Sequence, residues 1–195
     1  MELEEMKRRL AKELPEKRFK HSVAVCETAI RLARIHGVDE KKAAIAGLIH
    51  DSGRQIPTRD FIAKAEELGI DLDEIERCQP ILIHSKLGKY YAQHEFGVTD
   101  PDILNAIRYH TTGAAHMSPL CMVIYLADLL EPARDFPKVE EMRKMAKKSL
   151  ETTMLAAYAN TMEYLLGSQL LIHPDCLAGY NELAIQLKKP KNNRS

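Results

Sequence analysis

The chain has no tryptophan, only four cysteines, and no apolar stretch near the roughly 20 residues that a bilayer-crossing helix needs. Each shortage excludes something. Cys26, Cys78, Cys121 and Cys176 form no CxxC pair, so neither a zinc ribbon nor a disulfide framework is indicated, and a reducing cytoplasm is the natural compartment. The charged start, MELEEMKRRL, has no secretory leader's apolar core. An excess of one charge is also missing, because 28 Lys and Arg balance 28 Asp and Glu. Without a net field, DNA, RNA and anionic membranes are not expected partners, and any anionic ligand must be recognised locally. Nine Gly and nine Pro in 195 residues do not suggest low complexity. A chain of this length buries roughly 70% of its unfolded surface without metal or disulfide staples. One domain over 1–187 is expected, with a polar tail at 188–195.

What the chain does have is helical periodicity. No segment alternates strictly and no repeat is visible, so the expected class is all-α. Leu3, Met6, Leu10 and Leu14 share one face of a first helix. A second runs from Glu16 to His36, with Phe19, Val23, Cys26, Ile30 and Ala33 inward and Gly37 as its C-cap. Asp39 caps a third helix, whose run Ala43 to Asp51, AAIAGLIHD, is apolar all round. A helix without a polar face is the buried, central one, and this one is expected to reach Ser52-Gly53. Further helices start at Thr58, after Pro80, at Asp100-Pro101 and at Ser118-Pro119. The spacing then predicts one amphipathic helix over 138–168 and a last one over 177–187. The stripe Met142, Met154, Tyr158, Met162 on the long helix suits core packing, with a homodimer surface as the second use.

Polar residues at the inner ends of these helices carry the chemistry. A single histidine on an apolar face is ordinarily a hydrogen-bonded core residue. Here His21, the pair His50-Asp51, His84, His110 and Asp128 lie in or at the end of five different apolar helices, and bundles build metal sites from such inward side chains. Four imidazoles and two carboxylates exceed one tetrahedral zinc but suit two adjacent metals, with Asp51 as the bridging carboxylate. Mixed nitrogen and oxygen donors suit iron, manganese or zinc better than calcium. Two such metals can hold a hydroxide nucleophile while clamping phosphate oxygens. Arg18, Lys20, Arg54 and Arg134 lie within a few residues of a ligand and are candidate phosphate contacts. Thr111 and Thr112, in the glycine-containing loop after His110, are candidate hydrogen-bond donors. His173, in LIHPD, is a further candidate for lining the site. His36, His94 and His116 read as structural.

The order H…HD…H…H…D resembles the HD-domain metal-dependent phosphohydrolases. The strings RFKHS at 18–22, AGLIHD at 46–51, YHTTG at 109–113 and LADLLEPAR at 126–134 are similar to one branch, the bacterial symmetrical bis(5'-nucleosyl)-tetraphosphatases. The similarity spans about Arg18 to Leu166. It implies an HD-type helical bundle with the metal site between central helices, and a di-iron centre held by His21, His50, Asp51, His84, His110 and Asp128. The implied substrate is diadenosine tetraphosphate, cut into two ADP, with Asp51 and Arg54 in the catalytic machinery. One position departs from the family pattern: HDxxK is usual, and HDSGR places Arg54 there. A guanidinium keeps the charge but gives up no proton near neutral pH, so it fits phosphate binding and not acid catalysis. The competing readings are an HD hydrolase of another nucleotide, such as a mono- or triphosphate or an alarmone, and a non-catalytic nucleotide-binding regulator. All six ligand positions are filled, which favours an enzyme, and no GYP string follows HD, which counts against cyclic dinucleotides.

Overall fold

The structure, a computed structural model, describes residues 1–188. Of the tail expected at 188–195, residues 189–195 lie outside the described residues. Eleven α-helices and three short 3-10 segments make up the described residues, with no strand among them. The helices are α1 (Leu3–Glu13), α2 (Glu16–His36), α3 (Glu40–Ile49), α4 (Phe61–Glu67), α5 (Glu74–Cys78) and α6 (His84–His94). They continue with α7 (Pro101–Tyr109), α8 (Pro119–Leu130), α9 (Val139–Ala146), α10 (Leu150–Gly167) and α11 (Pro174–Lys188).

Three of the starts marked in the sequence are held by side-chain caps. The Asp39 carboxylate accepts from the Lys41 and Lys42 amides at 2.8 and 3.0 Å, and Asp100 accepts from Asp102 at 2.8 Å. The Ser118 hydroxyl accepts from the Cys121 amide at 3.1 Å. Each such cap is worth about 1 kcal/mol. Gly37 ends α2 in the left-handed region, φ 66.

Packing puts α3 at the centre, against α2, α7 and α8. Its small residues allow the close approach: a Cβ on Gly47 would lie 3.0 Å from the Cys26 Cα and 3.2 Å from the Ala29 Cβ on α2. Residues Leu120 to Ala127 of α8 are all buried. The main core runs from Met6 and Leu10 on α1 to Met154 and Tyr158 on α10. A second, smaller core holds Phe61, Ala65, Ile83, Leu87 and Tyr91.

Four expectations are corrected. The third helix stops at Ile49, short of Ser52-Gly53, and Ser52–Gln55 forms a 3-10 turn instead. The chain turns there because Gly53 lies against α6, where a Cβ would fall 2.1 Å from the His84 carbonyl oxygen. The helix expected over 138–168 is two helices. Ser149 is extended and its hydroxyl accepts from the Thr152 amide at 3.2 Å, so it caps α10 and does not continue α9. The stripe Met142, Met154, Tyr158 is core, with Met162 packed against it. The last helix begins at Pro174, where a proline at the first helical position has no amide to satisfy. On α2 the buried set is Ser22, Val25, Cys26, Thr28, Ala29, Leu32 and Ala33, while Phe19, Val23 and Ile30 are only partly covered.

Gly53→Ala drives a Cβ into backbone atoms that cannot rotate away. It is expected to destabilise the fold by about 1–3 kcal/mol in urea denaturation. Gly167→Ala, with nothing within 4 Å of its Cβ, serves as the control and is expected to show no loss.

Candidate metal centre

Helix ends deliver most of the candidate ligands. His50 is the C-cap of α3 and His110 the C-cap of α7, while Asp128 lies in the last turn of α8. Three helix C-termini, each carrying partial negative charge, therefore end at one place, and that favours a cation between them. His84 is the first residue of α6, and His21 lies in the second turn of α2. His50, Asp51, His84 and His110 are each at most 3% exposed.

Three of the imidazoles are aimed by their own backbone. The Nδ1 of His50 lies 2.8 Å from the Gly47 carbonyl and that of His110 lies 2.7 Å from the Ile107 carbonyl. The Nδ1 of His84 bonds the Ile81 carbonyl in the same way. A carbonyl only accepts, so each Nδ1 carries the proton and each Nε2 presents a lone pair inward. The Nε2 atoms of His84 and His110 stand 3.0 Å apart, and the Nε2 of His50 is fully buried with no hydrogen-bond partner. Facing lone pairs repel, and an orphaned buried nitrogen costs free energy; a cation among them removes both penalties.

Asp51 divides its oxygens between two groups. Oδ1 lies 3.4 Å from the Nε2 of His84 and 3.8 Å from that of His110, while Oδ2 lies 3.9 Å from the Nε2 of His50. The same carboxylate thus belongs to the set Asp51, His84, His110 and to the set His21, His50, Asp51. His50, His110 and Asp128 form a third, overlapping set. The Nε2 of His21 lies 3.0 Å from Asp128 Oδ1, without the alignment of a hydrogen bond.

The protonation states of Asp51, Asp128, His84 and His110 are those a metal requires. Burial pushes the Asp51 carboxyl up, but His50, His84 and Arg54 outweigh it and hold the group well below the usual carboxylate range. Burial opposes ionisation of Asp128 too, and His21, His50 and His110 reverse it. Burial, then the Arg54 guanidinium, keeps His84 well below its ordinary value, and burial with His50 lowers His110 to about 4. Burial pulls His21 down, but the neighbouring Asp128 carboxylate raises it above its ordinary value. The neutral imidazoles of His84 and His110 beside the ionised carboxylates of Asp51 and Asp128 make a donor set that fits divalent transition metals.

Partners around this set orient it. Arg54 spans two candidate ligands, with Nε 2.7 Å from Asp51 Oδ1 and Nη2 3.2 Å from His84 Nε2, a reach that a lysine's point charge lacks. Sequence reasoning missed Glu131. Its carboxylate, 3% exposed, lies 3.2 Å from the Nδ1 of His21, the one imidazole of the four with a carboxylate behind it. The only sequence signal was an acidic residue three positions after Asp128. Also missed was a brace behind His84 and His110. The fully buried Glu76 holds Lys86 at 2.5 Å and Arg108 at 3.3 Å, and Arg108 reaches the Ser85 hydroxyl at 3.4 Å. Asp73, Glu76 and His173 also stand close enough to suggest a metal, but Lys86 and Arg108 already neutralise Glu76.

The candidate phosphate contacts separate into two groups. A cleft of about 710 Å³ opens over His21 and is lined by Arg18, Lys20, Glu131 and Arg134. Arg18 Nη1 lies 3.3 Å from Asp51 Oδ2, and Arg134 bonds Asp128 through both its backbone carbonyl and its carboxylate. Lys20 sits on the rim, exposed and paired with Glu16 at 2.5 Å. The Thr111 hydroxyl lies 3.0 Å from His84 Nε2, within the cluster. The readings of Thr112 and His173 are revised. Thr112 is buried and donates its hydroxyl to the Gly113 carbonyl at 2.9 Å. His173 pairs with Asp73 at 2.8 Å, in the brace and outside the cleft. His36, His94 and His116 bond the Ala146 carbonyl, the Tyr90 carbonyl and Glu182 respectively, away from the cluster.

These shifts give the metal-free protein a defined pH response. His84 and His110 bind protons more weakly folded than unfolded, so between the ordinary value of 6.5 and about 4 the unfolded chain holds more protons. Stability is therefore expected to fall as pH drops from 6.5 towards 4, by up to about 1.4 kcal/mol per pH unit for each imidazole. The raised His21 works in the opposite sense around and above 6.5, and adds little well below it, where it is protonated in both states. Urea denaturation of chelator-treated protein at several pH values checks the slope, and His110→Gln is expected to flatten it.

The HD domain family matches residues 18–133. The chain is 39% identical over 175 residues to the symmetrical bis(5'-nucleosyl)-tetraphosphatase of Halalkalibacterium halodurans, covering 90% of this chain and 93% of that protein. It is 41% identical over 174 residues to the protein of the same name from Bacillus subtilis, covering 88% and 91%. Its fold is similar to the crystal structure of a predicted HD superfamily hydrolase involved in NAD metabolism from Clostridium acetobutylicum, with a TM-score of 0.91 at 35% identity over 95% of this chain and 98% of that one. A buried histidine and aspartate cluster at converging helix ends, together with this likeness over nearly the whole length, places the chain in the HD-domain family, on the branch of the symmetrical bis(5'-nucleosyl)-tetraphosphatases.

Proposed function

We propose that the protein is a two-metal hydrolase that cleaves diadenosine tetraphosphate symmetrically into two ADP. The observation that carries this reading is the split carboxylate of Asp51, with one oxygen towards His84 and His110 and the other towards His50, beside a cation-lined cleft. Relatives of nearly the same length, named for this activity, support it. His21, His50, Asp51, His84, His110 and Asp128 would hold the two ions, with iron as the preferred occupant and manganese or zinc as substitutes. When bound, the ions supply Lewis acidity that generates a nucleophile from water at neutral pH and neutralises phosphate charge.

The chain's own residues then bind and orient. One water adds to a central phosphorus, the middle anhydride P–O bond breaks, and the second ADP leaves with the bridging oxygen. Arg18 and Arg134 line the approach and bind phosphate oxygens, with Lys20 at the rim. Arg54 stays cationic, so it neutralises charge at the reacting phosphate and fixes Asp51 and His84, and donates no proton. Phosphoryl transfer needs little more than such positioning and charge neutralisation. The four thiols are free in the structure, and we place the enzyme in the cytoplasm. No helix among the described residues is long and apolar enough to cross a membrane. Exposed Tyr164, Leu166, Leu170 and Leu171 supply an apolar surface for a homodimer, which a monomer mass in light scattering at all concentrations would remove.

The test is product analysis after anaerobic loading with ferrous iron or with manganese. ADP is expected as the sole nucleotide product from diadenosine tetraphosphate, with Asp51→Ala inactive. Arg134→Ala loses a charge-assisted contact and is expected to raise KM about tenfold. ATP plus AMP as products would show that the cleavage position is wrong, and no turnover with either metal would favour a nucleotide-binding regulator.

A further inference from the structure

The backbone that carries Glu131 and Arg134 is the exit of α8, and locally only Arg134 ties it, through the Asp128 and Glu131 carbonyls. α8 stops at Leu130, and the next residue, Glu131, is extended with ψ 155 and not in the left-handed turn that usually closes a helix. The last carbonyls of a helix need donors from somewhere. Arg134 serves the Asp128 carbonyl at 2.9 Å, and a different helix serves the Leu130 carbonyl and the turn beyond it. Arg143, on α9, donates from Nε to the Leu130 carbonyl at 2.9 Å, and from Nη2 to the Glu131 and Arg134 carbonyls at 2.7 and 3.0 Å. Its remaining nitrogen, Nη1, holds Glu140 one turn earlier on α9. One planar fork thus ties three carbonyl oxygens within five residues, and only a guanidinium carries donors in that arrangement.

Two functional side chains depend on this backbone. Glu131 needs it to keep one carboxylate oxygen 3.2 Å from His21 Nδ1 and the other 2.7 Å from the Ala133 amide. Arg134 needs it to keep its guanidinium on Asp128 at the edge of the cleft. Arg143 itself touches neither a candidate ligand nor the cleft; it lines a separate groove with Thr28, Arg31 and Pro132. We propose that Arg143 is a positioning residue for phosphate binding, acting through Arg134 by fixing the Leu130–Arg134 backbone. The inference rests on the reading of the cleft as the polyphosphate site.

The test pairs kinetics with hydrogen exchange. Arg143→Met removes the fork, and Arg143→Lys keeps a cation able to reach fewer of the three carbonyls, so an intermediate effect is expected. KM for diadenosine tetraphosphate is expected to rise about tenfold in Arg143→Met, with kcat changed less. If Arg143 acts through Arg134, Arg143→Met adds nothing to KM in an Arg134→Ala background. Amide exchange across residues 130–136 is expected to quicken at least about tenfold, with α2 and α3 unchanged. Multiplicative effects in the double variant, or an unchanged exchange rate at 130–136, would overturn the proposal. The exchange measurement needs no turnover, so an inactive wild type would sink the functional reading while exchange still decides the positioning role. Should Arg143→Met fail to fold, Arg143→Lys carries the same comparison.

Discussion

An ionised carboxylate buried as deeply as that of Asp51 costs several kcal/mol unless opposite charge surrounds it, and the arrangement of five helices answers that cost. Arg54 at 2.7 Å and Arg18 at 3.3 Å supply formal charge from either side, and three imidazoles turn their Nε2 atoms towards the same carboxylate. His84 and His110 do not neutralise it by protonation near neutral pH, because burial lowers both. Their lone pairs add to the negative character of the site. Metal ions resolve that surplus of acceptors, and the C-termini of α3, α7 and α8 point the same way.

The scaffold serves this cluster through close backbone contacts. Gly47 lets α2 lie against α3, which brings His21 up to His50, their ring centroids 5.3 Å apart. Gly53 lets the turn after Asp51 touch α6, which places Arg54 beside His84. After His110, the Tyr158 hydroxyl accepts from the Ala114 amide at 3.2 Å and occupies the space that a Cβ on Gly113 would need. The loop carrying Thr111 is thereby fixed from α10, as the loop carrying Glu131 and Arg134 is fixed from α9 by Arg143. The candidate ligands come from five helices and the turn after α3, and these two loops are held from α10 and α9.

Much of this was legible because local chemistry writes it. Asp39, Asp100 and Ser118 stand just ahead of apolar-periodic runs, where their side chains act as caps, and the apolar AAIAGLI part of AAIAGLIHD reads as a central helix, which ends before His50-Asp51. His21, His50, His84, His110 and Asp128 gather in space from inward positions in or at the ends of helices, and Asp51 joins them from the turn after α3. What could not be read depends on contacts between distant segments. The break at Ser149 requires a hydroxyl to choose a cap over a continued helix, and the two spellings look alike in sequence. Glu131 and Glu76 read as ordinary solvated acids until the fold buries them against His21 and against Lys86 with Arg108. Thr112 and His173 carry suitable groups near suitable residues, yet the fold commits them to the Gly113 carbonyl and to Asp73.

The proposal at the centre of this account is that Asp51 would be shared by two metal ions and is not simply the middle of an ion-pair network. Anomalous diffraction from crystals grown with manganese tests it most directly. Two peaks are expected, one beside each oxygen of Asp51, the first against His84 and His110 and the second against His21 and His50. A single peak, or none within reach of these side chains, would contradict the account.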